Sequence, residues 1–122
     1  MPNSKILIVD DSPMAMDLIK AILADYELTT AIDGEEGLRL ARELSPDLIV
    51  LDVMLPKIDG YTICRLLKFD EKYKSIPIIM FSGRAGQADI DKGGQSGANL
   101  YLVKPVDKEQ LREAVEKFLS KP

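Results

Sequence analysis

Asp10, Asp11, Asp52, Ser82 and Lys104 are the residues whose types could do chemistry together. Each stands directly after an apolar run: ILIV before Asp10 and Asp11, LIVL before Asp52, IPIIMF before Ser82 and LYLV before Lys104. Short apolar, β-branched runs of this kind read as strands buried on both faces of a parallel sheet. In such a sheet all strand C-terminal ends lie on one edge, where open α/β sheets bind ligands. The five residues are therefore expected to converge on one crevice. Three carboxylates in one pocket repel and raise each other's pKa unless a cation sits among them. An oxygen-rich acidic cluster suits Mg²⁺, which accepts a few carboxylates and keeps sites for water and phosphate. Three negative charges would then face Mg²⁺ and one lysine.

The remaining composition narrows the chemistry. The 122-residue chain contains no histidine, which excludes Ser-His-Asp and Cys-His catalysis and His-ligated zinc within the chain. It has no GxxxxGK[ST] or GxGxxG loop to cradle a phosphate. A formal charge of −4 argues against direct nucleic-acid binding. The one cysteine, Cys64, permits no internal disulfide and is expected to pack as a small apolar residue. No segment reaches the ~20 apolar residues of a membrane span, and Met1–Lys5 lacks the apolar stretch of a signal peptide. A single cytoplasmic domain over residues 1–122, without membrane insertion and without an effector domain in this chain, is the expectation.

The elements that must position the site follow from the hydrophobic pattern. Strands are expected at Ile6–Val9, Leu28–Ile32, Leu48–Leu51, Pro77–Phe81 and Asn99–Val103. Ser12-Pro13 supplies a cap and a first-turn proline for a helix running to about Asp25, with Met16, Ile19, Ile22 and Leu23 inward and Met14 also read as packing. Asp33 can cap a second helix with Leu38, Ala41 and Leu44 at core spacing. Asp59-Gly60 opens a third, with Ile63, Leu66 and Leu67 inward. Asp107 with Gln110 makes a capping pair for the last helix, which buries Leu111, Val115, Phe118 and Leu119. Strands alternating with helices, with no short hairpin turns, give a parallel sheet covered on both sides.

The motifs ILIVDDS, PDLIVLDVMLPKIDGY, IPIIMFSG and GANLYLVKP resemble, in order and spacing, those of response regulator receiver domains, the family that includes the chemotaxis regulator. Asp52 lies 42 residues after Asp10, Ser82 lies 30 after Asp52, and Lys104 lies 52 after Asp52. The resemblance spans the whole chain and implies a doubly wound, flavodoxin-like sheet of order 2-1-3-4-5. It implies that Asp52 takes a phosphoryl group from a phosphohistidine on a sensor histidine kinase or histidine phosphotransfer protein. Asp10, Asp11 and Asp52 would bind Mg²⁺ together with the backbone carbonyl of Met54. Ser82 and Lys104 would contact phosphoryl oxygens, and Ser82 with Tyr101 would form a two-state switch. That switch alters the face made by the fourth helix, fifth strand and fifth helix, where a downstream protein binds. Met54, Gly83 and Arg84 would tune the phosphate's lifetime. Lys104-Pro105 would be a cis bond aiming the lysine. A monomer or weak phosphorylation-dependent dimer, working by protein contact in motility, chemotaxis or a phosphorelay, is the corresponding expectation.

On its own residues the chain leaves alternatives. Tyr101 reads equally as a packed strand aromatic and as the switch. The fourth helix departs from the family pattern, because Gly93 and Gly94 each cost ~1 kcal/mol relative to alanine and Ile90 is its lone large apolar residue. It is expected to be short, frayed or mobile. Rival functions are a small aspartate-nucleophile phosphohydrolase and a flavodoxin-like flavin binder. Adjacent Asp10-Asp11, in place of a DxD spacing, and an acidic DDSPM loop argue against each. A receiver cut from a larger regulator with a DNA-binding or enzymatic output domain would carry the same sequence.

Overall fold

A computed structural model describes residues 3–120; Met1, Pro2, Lys121 and Pro122, the ends of the expected domain, lie outside the described residues. The elements run β1 (Lys5–Val9), α1 (Pro13–Ile22), β2 (Glu27–Ala31), α2 (Gly34–Leu44), β3 (Leu48–Asp52), α3 (Gly60–Lys68), β4 (Ile78–Ser82), α4 (Gln87–Gln95), β5 (Leu100–Val103) and α5 (Lys108–Leu119). All neighbouring strands pair in parallel, in the order β2-β1-β3-β4-β5. This is the expected doubly wound sheet.

The alternation of side chains along each strand divides the core in two. Leu7, Val9, Ile49, Leu51, Ile78 and Met80 face α2 and α3, together with Leu38, Ala41, Ile63, Cys64 and Leu67. Ile6, Ile8, Leu48, Val50, Ile79 and Phe81 face the other way, against Met16 and Ile19 of α1, Leu23 just after it, and Leu111 and Val115 of α5. Every residue of β3 and β4 is buried, and each large aliphatic side chain removed from water contributes ~1.5–3 kcal/mol. The two strands that carry Asp52 and Ser82 are thus the most firmly held.

Each cap expected from sequence is made. The side chains of Ser12, Asp33, Asp59 and Asp107 accept hydrogen bonds from the backbone N–H groups of Ala15, Glu36, Thr62 and Gln110. Other assignments shift. α1 ends at Ile22, because Leu23 is already its cap, donating to Ile19 O. Asp25 lies beyond it and accepts two hydrogen bonds from the Arg112 guanidinium, at 2.9 and 3.1 Å. β2 spans Glu27–Ala31, leaving Ile32 exposed. Leu66, expected inward, is exposed because Ile63, Cys64 and Leu67 fill the stripe of α3 that meets the sheet. Leu44 is exposed at the end of α2, where Ser45 turns left-handed at φ 44°. Met14 is 76% exposed rather than packed, since α1 buries the side carrying Ala15, Met16 and Ile19. Phe118 and Leu119 are half-buried.

Candidate functional site

The strand register brings the chemistry-bearing residues together. Val9 of β1 pairs with Leu51 of β3, so Asp10 falls level with Asp52. Asp52 pairs with Phe81, and Ser82 with Val103, so Ser82 and Lys104 follow on the same edge. Gly60, the first residue of α3, sits against the Asp52 backbone; a side chain there would collide with Asp52 O, so this close approach requires glycine. Its N–H donates to Val53 O at 2.9 Å, closing the β3–α3 loop beneath the site.

Asp10 and Asp52 are buried at 1% and 5% exposure, whereas Asp11 opens to solvent. One oxygen of each of the three carboxylates lies within 4.8 Å of the other two. Asp10 Oδ1 accepts from the Ser12 N–H at 2.9 Å. Asp10 Oδ2 forms an ion pair with Lys104 Nζ at 3.0 Å but accepts no well-directed hydrogen bond, although it is fully buried. Asp52 Oδ1 accepts from the Met54 N–H at 3.3 Å, and Asp52 Oδ2 lies 3.4 Å from Lys104 Nζ. The Lys104–Pro105 peptide is cis.

Burial, followed by the charge of Asp10, pushes the Asp52 carboxyl up to about 6, against the opposing pull of Lys104. Burial works against the Lys104 charge, but contact with Asp10 and the charges of Asp52 and Asp10 outweigh it, so the ammonium is held more tightly protonated than usual. One lysine therefore under-compensates the carboxylates. A hard divalent cation fits the donor set, because the carboxylates are close enough to share it, Asp11 leaves a side open to water, and Asp10 Oδ2 still lacks a full partner.

The surrounding residues are arranged as follows. Ser82 is fully buried, and its Oγ accepts from the Arg84 N–H at 3.1 Å. Lys104 N–H donates to Ser82 O at 2.7 Å, fastening β5 to β4 beside the site. Gly83 is exposed, with nothing within 4 Å of where a Cβ would stand. Met54 is exposed, and the Arg84 Nε–H approaches its Sδ at 3.2 Å, so the two expected rate-tuning side chains meet over the cleft. Tyr101 is half-buried; its hydroxyl donates to Arg84 O at 2.8 Å and its ring lies on Gly93. Sequence reasoning missed Tyr61 and Asp89. Tyr61 occupies an apolar position of α3 and reads as core, yet its buried hydroxyl donates to Asp89 O at 3.1 Å. Arg84 adds an ion pair to the Asp89 carboxylate at 3.6 Å.

Comparison with known proteins matches this arrangement. The sequence model of the family described as the response regulator receiver domain covers residues 6–116. The chain is 44% identical over 117 residues to the DNA-binding dual master transcriptional regulator RpaA of Synechocystis, covering 94% of this chain and 48% of RpaA. It thus spans about half the length of that relative. A response regulator structure from Chloroflexus aurantiacus superposes with a TM-score of 0.92 at 34% identity, covering 98% of this chain and 99% of the other. The receiver domain of the sensor histidine kinase PA1611 of Pseudomonas aeruginosa was solved with a magnesium ion coordinated in its active site cleft. It superposes at a TM-score of 0.89 and 31% identity, covering 98% of this chain and 99% of that one. In sequence, fold and the convergence of its strand-end residues, the chain belongs to the response regulator receiver domain family.

Proposed function

We propose that Asp52 is a phosphoacceptor, and that this domain relays a signal by carrying its phosphoryl group. The observation that carries the reading is the nearly buried Asp52 carboxylate at the end of β3, flanked by Asp10, Asp11 and the Lys104 ammonium. An Asp52 carboxylate oxygen attacks the phosphorus of a phosphohistidine on a sensor histidine kinase or phosphotransfer protein. The P–N bond breaks as the P–O bond forms, and the donor imidazole leaves with the electron pair. Lys104 supplies a charge for one phosphoryl oxygen, and Ser82 a hydroxyl for another once it leaves the Arg84 N–H. Asp10, Asp11 and Asp52, with the Met54 carbonyl, would hold Mg²⁺, which when bound neutralises charge on the transferring phosphoryl group. Met54, Gly83 and Arg84 border the phosphoryl position and govern access of water to it. The domain catalyses its own phosphorylation and dephosphorylation and acts on no other substrate.

The donor's approach is served by the exposed apolar side chains Met14 and Leu18 of α1, which with Pro105 and Val106 line a cavity of about 180 Å³ reaching Lys104. Output runs through Ser82 and Tyr101 to the α4–β5–α5 face and a protein target, by a monomer or a weak phosphorylation-dependent dimer. No helix among the described residues is long and apolar enough to cross a membrane. A phosphohistidine donor and the buried free thiol of Cys64 both fit a reducing cytoplasm.

Incubation with acetyl phosphate and Mg²⁺ followed by intact mass measurement tests the assignment. A gain of one phosphoryl group that disappears in Asp52→Asn is expected. No gain in the wild-type chain with Mg²⁺ present would overturn it.

A further inference from the structure

α4 has little apolar surface with which to hold itself to the sheet: across Gln87–Gln95 its buried residue is Gly93, while Asp89 and Ile90 are half-buried. Besides the Arg84–Asp89 ion pair, two tyrosines on other elements attach it. From β5, the Tyr101 ring lies flush against Gly93, so that a Cβ there would stand 2.7 Å from Tyr101 Cδ2. From α3, the buried Tyr61 donates its hydroxyl to Asp89 O in the first turn, at 3.1 Å. The Lys92 ammonium sits 4.7 Å from the centre of the Tyr61 ring, adding a cation–π contact one turn further along. Burial first, then the adjoining Tyr101 hydroxyl, pushes the Tyr61 phenol up to about 12, so it remains a donor at any working pH.

Both tyrosines reach Ser82 through Arg84. The Arg84 N–H is on Ser82 Oγ, the Arg84 carbonyl accepts from Tyr101, and its guanidinium pairs with Asp89, whose carbonyl Tyr61 holds. When Ser82 turns to a phosphoryl oxygen, the Arg84 N–H is released. The loop is then kept in register with α4 by the two tyrosine hydroxyls and the half-exposed Arg84–Asp89 ion pair.

We propose that Tyr61 is a positioning residue of the switch: its bond to Asp89 O secures α4 in the arrangement that seats Tyr101 on Gly93, and so favours a phosphoryl group at Asp52. The inference rests on the phosphoacceptor reading of Asp52. A ligand shifts such an equilibrium only through bonds that differ between the two arrangements. On this proposal the Tyr61–Asp89 bond is one that differs, so that Tyr61 acts on phosphoryl affinity and not on stability alone.

Titration with fluoroberyllate, a phosphoryl mimic, in the presence of Mg²⁺ tests this on Tyr61→Phe, which keeps the ring and removes the hydroxyl. Apparent affinity is expected to fall about fivefold, the size of one neutral hydrogen bond. In a Tyr101→Phe background the same change should cost less, because the two hydroxyls support one arrangement. Gly93→Ala approaches the same seat from the helix side and should weaken affinity in the same direction. Unchanged fluoroberyllate affinity in Tyr61→Phe, with only a lower melting temperature, would assign Tyr61 a purely structural role and overturn the proposal. A wild-type chain that does not respond to fluoroberyllate would overturn the phosphoacceptor reading as well, and that outcome is distinguished by the wild-type titration itself.

Discussion

Lys104 Nζ stands nearer to Asp10, at 3.0 Å, than to Asp52, at 3.4 Å. Under the proposed function this lysine meets the phosphoryl group, yet in the structure its closer partner is the buried carboxylate that follows β1. Removing it leaves Asp10 buried beside Asp52 with no cation. Breaking a buried pair costs ~3–5 kcal/mol, and the 22% exposure of the lysine side chain reduces that through solvent screening. Lys104→Ala should lower stability by ~1–3 kcal/mol in metal-free urea unfolding at neutral pH. The loss should shrink when Asp10→Asn is added, because of the two buried charges left unpaired only that of Asp52 then remains. Equal losses in both backgrounds would mean that the lysine stabilises through packing of its stem.

Asp52 is held up to about 6 from an ordinary value of 3.8 by burial and by Asp10. The folded state thus binds this proton more tightly than the unfolded chain. The associated stability is fully present below about 3.8 and is lost as pH rises through about 6. Asp52→Asn removes the titration while keeping the shape. The variant should match the wild type near pH 3.5 and exceed it by ~1–3 kcal/mol above pH 7 without metal. Urea denaturation of both proteins across this range reads the difference directly; a difference that does not change with pH would refute the shift.

The same carboxyl predicts how a divalent cation binds. A metal ligand must be deprotonated, so Mg²⁺ added near pH 6 should expel part of a proton from Asp52. Calorimetry in two buffers of different ionisation enthalpy measures that release, expected as roughly half a proton per ion near the midpoint and close to none at pH 8. Asp52→Asn should abolish the buffer dependence. Asp11→Asn, which alters the exposed member of the trio, should weaken Mg²⁺ binding while retaining the dependence.

Most of the site is legible in sequence because its residues punctuate apolar runs. The interruption of ILIV by Asp10, LIVL by Asp52 and LYLV by Lys104 marks the strand end and sets a charge at the sheet edge. Strand identity and cap chemistry carry the fold in the same way, through Ser12, Asp33, Asp59 and Asp107. What was not legible depends on which flank of a helix meets the sheet and on contacts between distant segments. Leu66 has the right type for the core and lies on the wrong side of α3 by one position. Tyr61 has a core residue's spacing, and nothing local announces that its hydroxyl reaches a carbonyl 28 residues away. α4 shows the limit most clearly: its own residues argue for a short, weakly held helix, and contacts that hold the nine-residue helix come from Tyr61 and Tyr101, outside the segment.

Gly93 and Gly94 are adjacent and chemically identical, but their surroundings are opposite, which makes them a paired test of that support. A methyl group at Gly94 meets nothing within 4 Å, so Gly94→Ala should gain close to the full helix-propensity difference, ~1 kcal/mol. At Gly93 the same methyl would stand 2.7 Å from Tyr101 Cδ2 and 3.2 Å from Met80 Sδ. Neither neighbour yields freely: the Tyr101 hydroxyl is fixed to Arg84 O, and Met80 is wholly buried. The propensity gain is the same, but overpacking of ~1–3 kcal/mol opposes it, so Gly93→Ala should be neutral to destabilising. Thermal unfolding of the two variants decides the matter. Equal stabilisation by both alanines would mean that the Tyr101 ring does not rest on α4.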